Sequence, residues 1–368
     1  MPIKKIQFLF SGESFKLPPF LTILDSLKDE YDINVLCYET QANFNRLVEL
    51  YKANSNISFQ NASERQPVPV TLISRVKAKL KRVLNLETSF HKKAKSIIEK
   101  EQYDKLWVIH ENTLYEIRDL LNGRKYTLSM YELNDARGHF LRDIKTSVQQ
   151  SCDMIVCEPN RAQILRTWMQ LPYTPTVVPN KPLKHPKQRN ITLKQDYNFG
   201  SKKIILYQGH IQKNRNLDAF CKAVSDIDDF TLVLMGSKTP YRDELERNFP
   251  NVKFIDFVNP PEHLNITSHA YIGIVKYDYV DLNSIFCAPN KTYEYAGFGI
   301  PMISNAIPGL VYSVGRYGAA ECIDTDNVSE IKSAILKIDA DYQSYERAAL
   351  NFYESVDVKP LLNQIASR

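Results

Sequence analysis

Lys291 and Glu294 stand about one helical turn apart in PNKTYEYAGFGIPMI, and both bear on how a phosphorylated ligand could be held. The spacing predicts a loop holding Pro289, a short helix over Lys291–Ala296 stopped by Gly297 and Gly299, and a buried strand Met302–Ser304 after Pro301. A polar loop feeding a helix start presents backbone N–H groups and a positive dipole end to an anion. Glu294, one turn further in, can accept hydrogen bonds from hydroxyl groups. Phosphate at the helix start and sugar hydroxyls at the carboxylate point to a nucleotide-sugar site.

A second basic loop has the same form. The strand Lys203–Tyr207 is followed by Gly209, His210, Lys213 and Arg215 and then a helix from Leu217. Glycine admits close backbone approach, and an arginine fork matches phosphate oxygens. Gly236 and Ser237 end the strand Phe230–Leu234, where a planar base or a ribose can approach the backbone.

These loops need a scaffold, and the chain reads as α/β throughout. Ile6–Phe10, the helical spacing in Pro19–Lys28 and Ile33–Tyr38 open it as a βαβ unit, hence a parallel sheet. Gly12 lies at the carboxyl end of the first strand, where such sheets place ligands, or is simply a turn glycine. Leu106–Ile109 ends in His110-Glu111, and Tyr126–Met130 ends in Tyr131-Glu132. Polar residues at strand ends are acceptor-side candidates, with helix capping as the alternative. Cys152–Cys157 and Thr176–Val178 follow. Lys181–Gly200 has prolines, several bases and little periodicity, so 182–200 is the expected linker between a domain at 1–181 and a domain at 201–354, with 355–368 returning to the first. Val252–Phe257, Ala270–Val275 and Met302–Ser304 continue the second domain.

Composition narrows the class. At 368 residues the chain is long enough for two cores, and 43% hydrophobic with 24% charged residues is the balance of a globular protein. A net charge of +5 over this length gives no case for a nucleic-acid partner. Six dispersed cysteines without a CxxC pair fit a reducing cytosol. No apolar run reaches about 18 residues, so membrane contact is expected to be peripheral. The candidate is residues 72–95, where Ile73, Val76, Leu80, Val83 and Leu84 share a helical face among eight Lys and Arg. It can lie on anionic lipid, or be a core-facing stripe with a solvated basic back. The pairs Asp226/Asp228, Asp324/Asp326 and Asp339/Asp341 sit near helix boundaries where Asp serves as a cap, so no metal site is expected. Neither a P-loop nor a G-x-S-x-G motif occurs.

GHIQKNRNLDAF, MGS, NVKFIDFV and PNKTYEYAGFGIPMI resemble the C-terminal domain of glycosyltransferase family 4, over Ile204–Ser304. CDMIVC and TPTVVPN resemble that family's last N-domain strand and its exit. The resemblance implies the GT-B architecture, two Rossmann-like domains facing across a cleft, and transfer from a nucleotide-sugar with retention. A UDP-sugar is the favoured donor and a GDP-sugar the next. A saccharide or lipid-linked acceptor would lie on the N-domain, in surface polysaccharide or glycoconjugate synthesis, in the cytoplasm or at the inner membrane face. It implies no cofactor and no metal.

By the same resemblance Arg215 contacts the donor diphosphate, and His210 stands in place of the family's arginine. Asn290 and Lys291 match a P-x-K variant. Glu294 matches the second glutamate of a glutamate–seven residues–glutamate motif and binds ribose, while the first falls at Phe286. Asn283, Ser284, Gly209, Gly236, Ser237 and Val258 complete the donor side. Glu132, at the position of a family histidine, joins Arg215 and Glu294 as a catalytic candidate; Gly12, His110, Glu111 and Tyr131 are the acceptor side. The missing first glutamate and His210 motivate a rival, a non-catalytic nucleotide-sugar-binding partner. A sugar epimerase of similar fold is the other.

Overall fold

The computed structural model describes residues 4–63, 87–186, 188 and 201–368. The chain divides into two compact units, one of Met1–Val178 with Val358–Arg368 and one of Pro179–Asp357. Each is built on a single parallel sheet flanked by helices, the arrangement that long apolar strands alternating with amphipathic helices dictate.

The first sheet holds β1 (Lys5–Phe10), β2 (Asp32–Cys37), β3 (Ile57–Asn61), β4 (Lys105–Ile109), β5 (Thr127–Ser129), β6 (Asp153–Val156) and β7 (Thr176–Val177). Their order is β3-β2-β1-β4-β5-β6-β7. The inner strands are buried on both faces and read as continuous apolar runs: in β1 every residue after Lys5 is buried. The helix Val358–Ser367 lies against the helix Pro18–Leu27. Lys4 Nζ donates to the carbonyl of Ser367 at 3.0 Å, Lys105 to that of Ile365, and Arg368 pairs with Asp153 at 3.0 Å. Cations at a helix C-terminus satisfy carbonyls that the helix itself leaves open.

The second sheet holds β8 (Lys203–Gln208), β9 (Phe230–Met235), β10 (Lys253–Ile255), β11 (Ile272–Val275), β12 (Met302–Asn305) and β13 (Ala320–Ile323), in the order β10-β9-β8-β11-β12-β13. Strand order reverses between β8 and β11, and open parallel sheets bind ligands beyond the carboxyl ends at such a switch point. The loop from Gly209 and the loop from Lys276 leave the sheet there.

The unit boundary falls between Val178 and Pro179, three residues before the end of the expected first domain. Of the expected linker, Pro182–Pro186 belong to the second unit, while 187 and 189–200 lie outside the described residues. Asn180 Nδ2 donates to the Ala288 carbonyl at 2.8 Å, and His185 Nε2 lies 2.9 Å from the Glu294 carbonyl. Lys181 Nζ meets the carbonyls of Tyr353 and Val356 at 2.5 and 2.6 Å, which caps the helix Tyr342–Glu354. Residues 72–86 of the expected basic helix lie outside the described residues; Lys92, Lys93 and Lys95 fall in the helix Ser89–Lys100. Among the described residues no helix is long and apolar enough to cross a membrane.

Candidate functional site

Three strand ends and one helix of the second unit converge on the candidate donor residues. Gly209, directly after β8, has φ +138°, a value L side chains rarely adopt. A Cβ built on it lies 3.0 Å from Lys291 Nζ and 3.8 Å from Arg215 Nη1. The two bases that the sequence places 76 residues apart thus share one spot. Gly236, directly after β9, meets Gly209 itself: a Cβ there would stand 2.1 Å from the Gly209 carbonyl oxygen and 3.0 Å from Ile211 Cγ1. The Gly236 carbonyl accepts from buried Arg242 at 2.7 Å. Gly236→Ala is therefore expected to lower stability by about 1–3 kcal/mol through overpacking against backbone. A urea midpoint reduced at constant m-value is the expected readout; an unchanged midpoint would mean that the two strand ends part freely.

Lys291 lies in the helix Asn290–Ala296, which begins one residue before its expected start. Its side chain is buried, and Nζ has no hydrogen-bond partner. Two aromatic rings stand in for an anion: Nζ is 4.6 Å from the Tyr207 ring centre and 5.8 Å from that of Tyr277. Arg215 lies over the other ring contact, its Cζ 4.4 Å from the Tyr277 centre. Burial, with the Arg215 charge beside it, pushes the Lys291 pKa down to about 7.

Glu294 faces the same region, its side chain 12% exposed. Oε2 accepts from Gln208 Nε2 at 2.5 Å, and Oε1 lies 3.2 Å from His263 Nε2. Neither partner was legible as a site residue. Gln208 ends an apolar strand and His263 sits in a five-residue helix, His263–Thr267, and only the fold joins positions so far apart. The remaining donor candidates lie on loops of this unit. His210 and Ser237 are exposed, and Val258 is half-buried beside exposed Phe257. Asn283 and Ser284 fall in a single helical turn, Leu282–Ile285, capped by Asp281, which accepts from the Ser284 N–H at 2.7 Å. Phe286 ends that turn.

In the first unit the acceptor-side candidates separate into two groups. Glu111 is interior at 1% exposure, and its oxygens accept from the Tyr131 N–H at 3.3 Å and from Asn134 Nδ2 at 3.0 Å. Tyr131 is buried too, and burial holds its hydroxyl protonated well above the usual range. Both residues hold the 131–134 loop through these contacts. A buried carboxylate needs fixed donors, and this loop supplies them. His110 caps the helix Glu111–Ile117, accepting from the Asn112 N–H at 3.2 Å with φ +76°. Glu132 is half-exposed and pairs with Arg161 at 3.7 Å. Gly12 lies against the Phe10 ring, which a Cβ would approach to 2.5 Å.

The aspartate pairs take structural partners. Asp226 pairs with Lys332 at 2.6 Å, Asp326 with Lys276 at 2.9 Å, and Asp339 with Lys203 at 2.5 Å. Among the described residues no three His, Cys, Asp or Glu gather to hold a metal ion. A cavity of about 490 Å³ opens at the opposite ends of the strands, between Ser201, Val224, Phe230 and Val252, and no candidate site residue lines it.

Residues 202–341 match the family model described as Glycosyl transferases group 1. No curated protein sequence matches the chain. Solved structures resemble it over nearly its whole length. Sucrose-phosphate synthase from Thermosynechococcus elongatus is 16% identical with a TM-score of 0.70, covering 99% of this chain and 98% of its own. HepE of Anabaena in complex with UDP and glucose is 15% identical with a TM-score of 0.73, covering 99% and 98%. A UDP-N-acetylglucosamine 2-epimerase is 11% identical with a TM-score of 0.62, covering 100% and 98%. At these identities the likeness is one of fold. The chain thus has the fold of these structures, and its residues 202–341 carry a domain of the Glycosyl transferases group 1 family.

Proposed function

We propose that the chain transfers a sugar from a nucleotide-sugar, with a UDP-sugar favoured and a GDP-sugar next, to a saccharide or lipid-linked acceptor. Transfer would proceed with retention, in surface polysaccharide or glycoconjugate synthesis. The observation that carries the reading is the Lys291 ammonium, buried without a hydrogen-bond partner beside Gly209 and Arg215. A buried charge with no hydrogen-bond partner is unfavourable, and an arriving diphosphate supplies acceptors. HepE was solved with UDP and with UDP-glucose, which supports a uridine donor on this fold.

The roles follow from position. Lys291 and Arg215 oppose the charge that grows on the departing diphosphate, where a low-dielectric site makes each hydrogen bond count for more. Glu294 accepts from the ribose. Backbone at Gly236, Ser237 and Val258 meets the base, with Asn283, Ser284 and Asn290 toward the sugar. His210 borders the phosphates from an exposed position. Glu132, with Gly12 and His110, belongs to the acceptor side, and either Glu132 or the donor phosphate takes the acceptor proton. The reaction uses no metal or cofactor. The protein works in the cytoplasm at the inner face of the membrane, with residues 72–95 against anionic lipid.

Mixing the protein with UDP- and GDP-sugars and cell-derived acceptors, with mass detection of all products, tests this. Released nucleotide together with a glycosylated acceptor is expected. Nucleotide binding without turnover would favour a non-catalytic partner. The epimerase among the structural neighbours gives the other reading its basis, and an isomerised sugar with no transfer would establish it.

A further inference from the structure

The carboxylate of Glu294 is held from both sides. Gln208 occupies Oε2 and His263 faces Oε1, and these two residues are 5% and 9% exposed. The Thr267 hydroxyl lies 2.6 Å from Gln208 Oε1. The Glu294 carboxylate, an acceptor only, assigns the amide, nitrogen toward Glu294 and oxygen toward the Thr267 hydroxyl, which also lies 3.0 Å from the His263 carbonyl. The carboxylate likewise assigns a proton to His263 Nε2, since two acceptors would repel, and Nδ1 is left buried without a partner. A buried nitrogen left unsatisfied is unfavourable, which argues that the ring is held for its Nε2 contact.

We propose that Gln208, His263 and Thr267 are positioning residues that fix the plane of the Glu294 carboxylate for a pair of adjacent hydroxyl groups. A carboxylate offers about four acceptor sites. The protein takes one on each oxygen and leaves one on each, the pattern that matches the 2′ and 3′ hydroxyls of a nucleotide ribose. Thr267 gives the arrangement its direction. Without its hydroxyl the Gln208 amide keeps its nitrogen toward Glu294 but loses the anchor on its oxygen, so the carboxylate's plane is held less firmly. The inference rests on the reading of Glu294 as the ribose acceptor and adds the residues that make it selective.

Calorimetric titration of the full chain with UDP and 2′-deoxy-UDP, and with GDP and 2′-deoxy-GDP, tests it; the base bound more tightly carries the comparison. The wild type is expected to prefer the ribonucleotide by about tenfold or more, as for a hydrogen bond to a charged group. That ratio should fall toward one in Thr267→Val and His263→Leu. His263→Gln, whose amide nitrogen can reach the place of Nε2, should restore most of it. If Glu294→Ala loses the ratio while Thr267→Val and His263→Leu keep it, the positioning role is overturned and the ribose reading stands. A ratio near one in the wild type, or one unchanged in Glu294→Ala, overturns both. Should His263→Leu fail to fold, Thr267→Val, nearly isosteric with the native residue, decides alone.

Discussion

Lys291→Met is expected to raise the thermal midpoint of the ligand-free protein and to remove most of its affinity for a nucleoside diphosphate. The two effects have one cause. Wild-type Lys291 holds its ammonium in a dry place with two rings and no hydrogen-bond acceptor, near the Arg215 guanidinium. Replacing a buried ionic group by an apolar one of similar volume stabilises by about 1–4 kcal/mol in comparable cases. The pH dependence has a definite sign. The pKa is about 7 in the folded protein and near its ordinary 10.5 when unfolded, so the unfolded chain binds more protons between those values. Wild-type stability therefore rises with pH across that window. The advantage of Lys291→Met is full below pH 7 and shrinks toward pH 10.5.

Binding runs the other way. Losing a desolvated partner of a phosphate costs about 2–5 kcal/mol, roughly 30- to 4,000-fold in affinity. In the wild type the ammonium is half neutral at pH 7, so an anion must draw in a proton above that point. Affinity should fall about tenfold per unit above pH 7, with proton uptake visible as calorimetric heats that vary with the buffer's ionisation enthalpy. Affinity that stays level to pH 9, with no such variation, would remove Lys291 from the anion site.

The same substitution at another buried lysine of this unit, Lys276, should have the opposite effect. Lys276 is 0% exposed, yet its three protons meet Thr325 Oγ1 at 3.0 Å, Asp326 Oδ1 at 2.9 Å and Asp278 Oδ1 at 3.2 Å. It leaves the end of β11 at the switch point and ties the loop toward Asn283 to the loop after β13. Lys276→Met is expected to destabilise by about 1–3 kcal/mol, the range for hydrogen bonds to a charged group. Asp278 and Asp326 are 24% and 58% exposed, so water can compensate them in part and the loss stays below that of a sealed pair. Denaturant midpoints of the two variants measured side by side decide the matter. Shifts of the same sign would show that burial alone, and not satisfaction of the ammonium, governs both lysines.

The sequence made the inner strands plain and hid one edge of each sheet. β1 and β9 are apolar runs buried on both faces, and each was legible as a strand. β3, with the sequence ISFQN, and β13, with AECI, border their sheets, keep most residues half-exposed, and carry no comparable run. The site divides in a similar way. Lys291, Glu294 and Arg215 stand next to helix starts and glycines, features that a short window contains. Gln208 and Thr267 act through partners 86 and 59 residues away, and no local pattern marks such a pair. Glu111 hides its partners for a related reason. A carboxylate at a strand end reads as aimed outward, and only the 131–134 loop shows where its hydrogen bonds go.

The helix Val358–Ser367 also bears on how the chain is made. The first unit is interrupted in sequence by the whole of the second, and its own last element is synthesised only after that second unit. Domains tend to fold as units while the chain emerges. Here the contiguous second unit can close first, while the first waits for the backbone carbonyls that Lys4 and Lys105 meet and for the Arg368 side chain that Asp153 pairs. The nascent first unit therefore passes a long interval with the face of Pro18–Leu27 uncovered, and that interval is when it is most exposed to chaperones and proteases.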